Sequence, residues 1–208
     1  MDGILEVLIP ECGDPNIFLP DPELLNYYEQ LDNRTIWIDY GIDGSITSVA
    51  KKIMMWNIQD DKLGLSKDKR IPIKIMIMSD GGAFFAGLSL IDTIMLSNTP
   101  VYTINVSMAA SAACEILLAG HKRFAFPHAT AMWHSGSCGL QGTMEQVQSA
   151  TKHFDTLDDQ MREYFLSRTN VDSKLYRKYK DKDWYFTAED ALKYGLVDKI
   201  ITSLDEIN

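Results

Sequence analysis

The sequence predicts an α/β fold built on a parallel sheet, and two observations lead to this prediction. The run Ile71–Met78 carries isoleucine at alternate positions and its methionines are apolar too, which is typical of a strand buried on both faces. A helix over Phe84–Leu96, a strand over 101–106 and an apolar helix over Ala112–Ala119 follow, and this alternation indicates an α/β fold. The 208 residues, 46% of them hydrophobic, are enough for one sizeable domain with its own core.

The first part of the chain, residues 1–33, is predicted to be rich in loops, because it contains four of the seven prolines. Within it, Ile4–Ile9 is apolar enough to form a strand or an arm. Leu24–Leu31 is predicted to form a short helix, with Asp21 as its N-cap and Pro22 at its first position.

A strand and a longer helix are predicted next. Thr35–Tyr40 has the β-branched and aromatic residues typical of a strand, and the two glycines that follow mark a turn. Ser45 is expected to cap a helix whose apolar face is formed by Ile46, Val49, Ile53 and Met54. Residues 60–70 are highly charged and are predicted to form a solvated loop.

The middle of the chain predicts two short strands, a link and a long helix. The strands are expected at Arg123–Phe126 and Thr130–Trp133, and Ser135–Gly142 is a link of small residues that includes glycines. Thr143–Arg168 predicts a helix of roughly seven turns, which we expect to extend beyond the core. Its helical spacing also predicts an apolar stripe that favours a homo-oligomer, formed by Phe154, Leu157 and Met161.

The end of the chain predicts a short helix and a last strand. Thr187 and Asp190 form a variant of the capping box, which starts a helix over Glu189–Tyr194. Gly195 is expected to end that helix, and Leu196–Ile201 is the predicted strand.

Charge and cysteine content narrow the classes of function. A net charge of -9 argues against a nucleic-acid binder and against a polybasic membrane partner. The three cysteines match no zinc-ligand spacing, and so sparse a set fits a reducing compartment. The chain starts without a basic and then apolar leader, so we expect a cytoplasmic protein without a signal peptide.

The residues around Ser111 carry the strongest functional signal. This serine follows a β-rich run that ends in small residues, and it opens an apolar helix. The N-terminus of a helix presents unpaired N–H groups and a positive dipole end, which stabilise negative charge beside a nucleophile. If His134 reaches Ser111, the pair has the chemistry of acyl transfer. Two simpler interpretations of these residues remain open at this point: the serine only caps a helix, and the histidine has a structural role.

Several short motifs occur in one order along the chain, and they resemble the ClpP family of proteolytic subunits of the Clp protease. The likeness runs from about residue 34 to about residue 201. The motifs are Ser79-Asp80-Gly81-Gly82, Gly87, Ala109-Ala110-Ser111, Met132-Trp133-His134, Asp183 and the stretch Phe186–Asp198 with its Tyr-Gly-Leu-Val-Asp.

The resemblance implies a serine endopeptidase and assigns a role to each matching residue. Ser111 matches the nucleophile, His134 the general base and Asp183 the acid that orients the histidine. The backbone N–H groups of Gly82 and Ala112 match the oxyanion hole. Ser135–Gly142 matches the segment that lies beside the substrate peptide.

The resemblance also implies a fold and an assembly. The fold is a repeated ββα spiral, shared with the crotonases, in a domain at residues 34–208 with a projecting handle helix at about 143–168. The expected assembly is two stacked heptameric rings that enclose the active sites and work with an AAA+ Clp ATPase on unfolded proteins or peptides. The chemistry would use no cofactor and no metal, because ATP is consumed by the partner.

Departures from the family pattern keep two alternatives open. Asp80 stands where the family has proline, Ser107-Met108 replace Gly-Gln, and Ser135-Gly136 follow the histidine instead of Gln-Pro. Residues 1–33 do not resemble the family's usual N-terminal axial loops. Together these departures are expected of a divergent family member encoded by a phage or another mobile element. The alternatives are a catalytically inactive ring subunit and a crotonase-fold acyl-CoA enzyme, and the pairing of serine with histidine argues against the second. A capsid-maturation protease would be a special case of the predicted serine endopeptidase.

Overall fold

A mainly parallel sheet lies at the centre of the molecule, which is described by a computed structural model over residues 21–207. The predicted element Ile4–Ile9 lies outside the described residues. The strands are β1 (Thr35–Ile38), β2 (Ile73–Ser79), β3 (Val101–Ala110), β4 (Lys122–Ala125), β5 (Thr130–Trp133), β6 (Trp184–Thr187) and β7 (Lys199–Ile200).

Seven α-helices surround this sheet within residues 21–207, so the predicted α/β class is confirmed. They are α1 (Pro22–Asp32), α2 (Thr47–Lys62), α3 (Phe84–Met95), α4 (Ala112–Ala119), α5 (Met144–Arg168), α6 (Ser173–Tyr179) and α7 (Ala188–Lys193). None of them is both long and apolar enough to cross a membrane.

The sheet is buried on both faces, as the apolar run in β2 predicts. Ile73, Ile75 and Ile77 are inaccessible to solvent and pack into the main core with residues of α2, α3 and α4. Met76 points to the other face, into a smaller core that the C-terminal 3-10 turn Leu204–Ile207 helps to close.

Strand β3 is bent, and its two halves pair with different neighbours. Its first half runs parallel to β4, and its second half, Met108–Ala110, runs parallel to β5. The register against β2 shifts between Ile77 and Ser79, because Ile77 faces Asn105 whereas Ser79 already faces Ala109. The bend carries the end of β3 towards β5 and β6, which form the antiparallel pair of the sheet.

Most elements fall where the sequence predicts them. Asp21 caps α1 by accepting a hydrogen bond from the N–H of Glu23, and α4 has the predicted bounds. Thr143 and Gln146 form a complete capping box at the start of α5, which spans 25 residues. No residue from Met144 to Gln160 is buried, so the first half of this long helix lies outside the core.

Three expectations in the first half of the domain are wrong. Ser45 does not cap α2; it lies in a 3-10 turn, where its N–H donates to Asp43. Met54 is 53% exposed, because the buried face of α2 continues through Trp56 instead. Asp60 does not lie in a solvated loop, since it is inside α2 and inaccessible to solvent.

The guanidinium group of Arg34 explains the burial of Asp60. It makes two hydrogen bonds to the carboxylate, of 2.8 and 2.6 Å, and Thr99 donates a third of 2.7 Å. These partners hold the pKa of Asp60 below its ordinary value, chiefly through the hydrogen bonds from Arg34. The ion pair thereby joins α2 to the start of β1.

Candidate active site

Ser111 occupies a strained turn between β3 and α4. Its backbone angles are φ 54° and ψ -127°, a region that residues with a side chain rarely adopt. Its N–H donates to the carbonyl oxygen of Met132 at 2.9 Å, which holds the turn beside the end of β5. Strain of this kind costs about 1–3 kcal/mol and persists where the surrounding structure fixes it.

The Ser111 hydroxyl does not serve as a helix cap. It makes no capping hydrogen bond to α4, although the residue occupies the N-cap position. Its Oγ instead lies 2.9 Å from Nε2 of His134. The geometry therefore goes against the simpler interpretation of this serine as a structural cap.

The ladder between β5 and β6 brings His134 to Asp183. Trp133 faces Trp184 at the last pair of this antiparallel ladder, so the next residues on each strand, His134 and Asp183, also face each other. Nδ1 of His134 lies 3.1 Å from an Asp183 oxygen. The histidine side chain is 29% exposed and the aspartate 57%, so this contact lies at the edge of solvent.

The peptide N–H of Gly82 points away from Ile42, its bridge partner. Gly82 pairs with Ile42 through its neighbours, since Ile42 donates to the Gly81 carbonyl and accepts from the Ala83 N–H. In a parallel bridge of this kind the residue between those bonds turns its own N–H to the opposite edge. Strand β3, which ends at the serine turn, lies on that side of β2, because β2 lies between β1 and β3.

The N–H of Ala112 is the second free donor beside the serine. Ala112 is the first residue of α4, and the N–H groups of the first helical turn have no partner within the helix. In the part of the chain that the structure describes, neither this N–H nor that of Gly82 donates a hydrogen bond. Two free donors beside Ser Oγ can stabilise the oxyanion of a tetrahedral intermediate.

Both glycines of the 81–82 pair are required by the backbone. Gly82 has φ +150°, and a Cβ there would lie 2.2 Å from the carbonyl oxygen of Ile42. Gly81 has φ +94°, and a Cβ there would lie 2.7 Å from Cβ of Ser111. A larger residue at either position would displace the segment around Ile42, which follows β1, or the serine turn.

A cleft of about 380 Å³ opens beside His134. Its walls come from the start of α3, from α4, from the end of β5 and from the outer part of α5. The stripe that predicted an oligomer lies in this cleft, because its members all contribute to the lining: Phe154, Leu157 and Met161.

The link Ser135–Gly142 has an irregular conformation, and its first half, Ser135–Cys138, lines the cleft. Its backbone N–H and carbonyl groups make no hydrogen bond within residues 21–207. One side-chain contact anchors it, in which Ser135 Oγ donates to the carbonyl oxygen of Lys180 at 2.7 Å. The free backbone groups are available to an extended peptide.

Two other polar candidates, His121 and Cys114, lie outside the cleft lining. His121 accepts a hydrogen bond from the N–H of Val101, and burial lowers the pKa of its imidazole. Cys114 is buried, and burial raises the pKa of its thiol. Cys138 is exposed in the cleft lining, and Asp80 is exposed as well. Within residues 21–207 no group of three or more His, Cys, Asp or Glu side chains is placed to hold a metal ion.

Sequence reasoning assigned no role to two residues of the site. Gly81 shapes the serine turn, and the sequence presents it only as part of the motif Ser79-Asp80-Gly81-Gly82. Glu115 lies in the cleft wall although α4 is otherwise apolar, and a single charged residue in such a helix is a signal that could have identified it.

A comparison with models of protein families matches residues 23–204 to the family described as Clp protease. The match includes all of α1 except Pro22, all seven strands of the sheet and every residue of the site described above.

Proposed function

The chain belongs to the Clp protease family, and we propose that it is a serine endopeptidase whose nucleophile is Ser111. The observation that carries the proposal is the pair of contacts Ser111 Oγ–His134 Nε2 and His134 Nδ1–Asp183, of 2.9 and 3.1 Å. Serine proteases use this arrangement for acyl transfer.

The proposed first step forms an ester between the enzyme and the substrate. With its proton on Nδ1 and donated to Asp183, His134 accepts the hydroxyl proton of Ser111 at Nε2 as Oγ attacks the scissile carbonyl carbon. The N–H groups of Gly82 and Ala112 stabilise the oxyanion that develops. His134 then gives the proton to the leaving amine, and the peptide C–N bond breaks.

The second step releases the acyl group. Water takes the place of the amine product, and His134 removes its proton while the oxygen attacks the ester carbon. The bond to Ser111 Oγ breaks, the proton returns to that oxygen, and a carboxylic acid leaves. The substrate and water are the only reactants besides the chain in the two proposed steps.

Substrate peptides would bind by adding a strand beside the link Ser135–Gly142. An extended peptide gains main-chain hydrogen bonds whatever its sequence, and the link presents unpaired backbone groups. This mode suits an enzyme that degrades unfolded proteins.

We further propose a homo-oligomer of stacked rings that works with an AAA+ Clp ATPase, as the family does. The exposed first half of α5 supports this proposal, because a helix of that length outside the core offers a surface to a partner. Exposed apolar side chains on α2 add a second surface, formed by Met54, Met55 and Ile58. Light scattering tests the oligomer, and a mass of 23.5 kDa at every concentration would contradict it.

A fluorophosphonate probe tests the enzyme directly. Attack by Ser111 Oγ on phosphorus expels fluoride and leaves a stable adduct, which intact mass spectrometry detects. We expect one adduct on the wild type, none on Ser111→Ala, and the wild-type adduct on Ser89→Ala, which removes an exposed serine of α3. An assembled wild type that never reacts would support the alternative of an inactive ring subunit.

A further inference from the structure

Glu115 lies one helical turn after Ser111, in the wall of the cleft. Its N–H donates to the Ser111 carbonyl at 3.1 Å, which fixes the spacing of the two residues. Side chains of a helix lean towards its N-terminus, so the carboxyl group of Glu115 leans towards the serine turn. The residue is only 8% exposed.

One oxygen of this carboxyl group lacks a partner. Oε2 is shielded from solvent and makes no hydrogen bond within residues 21–207. Leaving such a group unpaired disfavours its charged form, and burial accordingly raises the pKa of Glu115 to about 7. Asp60, the other deeply buried carboxylate described above, is satisfied by Arg34 and Thr99. The carboxyl group of Glu115 therefore has no protein partner within residues 21–207 and lies in the cleft wall, where a ligand can approach it through its other oxygen.

The rest of the cleft suits a long cationic side chain. Its lining includes the aromatic side chains of Phe84, Phe85, Trp133 and Phe154. Three further carboxylates stand exposed at its rim, Asp155, Asp158 and Asp181, and the lining residues include no lysine or arginine.

We propose that Glu115 is a specificity-determining residue, which binds the side chain of a substrate lysine or arginine next to the scissile bond. The inference rests on the proposed peptidase function. The methylene stem of such a side chain packs against the aromatic walls, and its cationic end pairs with the carboxylate inside the cleft. The acidic rim attracts the same charge before binding.

The kinetic experiment uses two fluorogenic peptides that differ only in lysine or leucine before the scissile bond. We expect the wild type to favour lysine in kcat/KM. In Glu115→Gln, which keeps the shape but removes the negative charge, we expect the lysine-to-leucine ratio to fall at least tenfold. The matched control is Glu163→Gln, which removes an exposed carboxylate of α5 outside the cleft lining and should keep the wild-type ratio.

A binding experiment separates this inference from the proposed function. In the Ser111→Ala background, fluorescence anisotropy compares the labelled lysine and leucine peptides without any cleavage. At least tenfold tighter binding of the lysine peptide, lost on adding Glu115→Gln, supports the inference even if the chain is an inactive subunit. Equal binding of the two peptides overturns it, whatever the fluorophosphonate shows. Preference for a neutral glutamine peptide over the lysine peptide would overturn it as well, because it would assign Glu115 a protonated, hydrogen-bonding role.

Discussion

His134 and Asp183 stand opposite each other one step beyond the last pair of the β5–β6 ladder. The sheet therefore sets the distance between the two side chains, which lie 3.1 Å apart although 49 residues separate them in the chain. Ser111 reaches the same histidine from the parallel side, since its N–H bonds to Met132 in β5. One short strand thus connects all three residues.

Replacement of Asp183 by asparagine should lower peptide cleavage less than replacement of Ser111 or His134. A wrong histidine tautomer costs about 10⁴-fold where the aspartate is buried. Here the carboxylate is 57% exposed, so water can replace part of its effect. Initial rates of peptide cleavage measure the three single variants.

Double variants test whether these residues act as a unit. Because residues of one mechanism are not additive, His134→Ala combined with Asp183→Asn should be no slower than His134→Ala alone. A further large loss in the double variant would show that Asp183 acts independently of the histidine.

Replacement of Gly81 by alanine should damage the serine turn. The new Cβ would meet Ser111 Cβ at 2.7 Å and the Ala110 carbonyl oxygen at 2.5 Å, in a backbone conformation with φ +94°. We expect a loss of about 1–3 kcal/mol in the free energy of unfolding, together with slower fluorophosphonate labelling. Urea unfolding and labelling rates measure the two effects. Gly44→Ala is the control, because a Cβ there meets nothing within 4 Å.

The sequence predicts the local parts of the site well. Helix α4 and strand β5 have their predicted bounds, because an apolar run and the residues that flank it determine each of them. Strand β3 is four residues longer than predicted, since Ser107–Ala110 becomes a strand only by pairing with β5 and β2. Pairing between distant segments leaves little trace in local sequence.

The same reason explains what the sequence could not supply. Only the family resemblance gives Asp183 its role. The local sequence does not predict strand β6, which positions this residue. The burial of Asp60 depends on Arg34, which lies 26 residues earlier. Glu115 has a local signal, but only the cleft around it shows that its carboxyl group has no partner within residues 21–207.

Replacement of Gly139 by proline should impair cleavage without changing the melting temperature. Proline removes the backbone N–H that an added substrate strand would use. The link makes no backbone hydrogen bonds within residues 21–207, so little native structure depends on this N–H. The control is Gly139→Ala, which keeps the N–H and has open space for its Cβ. Full activity in Gly139→Pro would count against strand addition at this position.

Replacement of Glu115 by glutamine should stabilise the protein in alkaline solution and much less in acid. Burial raises the pKa of Glu115 from 4.5 to about 7, so the folded state holds a proton that the unfolded state has released between these values. Stability of the wild type therefore falls as pH rises from 4.5 to 7 and stays low above it. The shift corresponds to about 3 kcal/mol of lost stability at pH 8, which glutamine does not incur. Urea midpoints of wild type and variant at pH 5 and pH 8 measure the difference.

The control for this prediction is again Glu163→Gln, whose carboxyl group is exposed. Other titratable groups line the same cleft or adjoin Glu115. They are present in the wild type and in both variants, so their effects on stability cancel when the proteins are compared at one pH. These groups are His134, Cys138, Asp155, Asp158, Tyr176, Asp181, Cys114 and Tyr164. Equal stabilisation by Glu115→Gln at pH 5 and pH 8 would mean that the carboxyl group does not change its protonation in this range. In the Ser111→Ala background, where the peptide is not cleaved, a lysine peptide bound in the cleft should reverse the trend, because a cation beside Glu115 favours its ionised form. That peptide should then raise the urea midpoint of Ser111→Ala more at pH 8 than at pH 5, and no such difference should appear when Glu115→Gln is added.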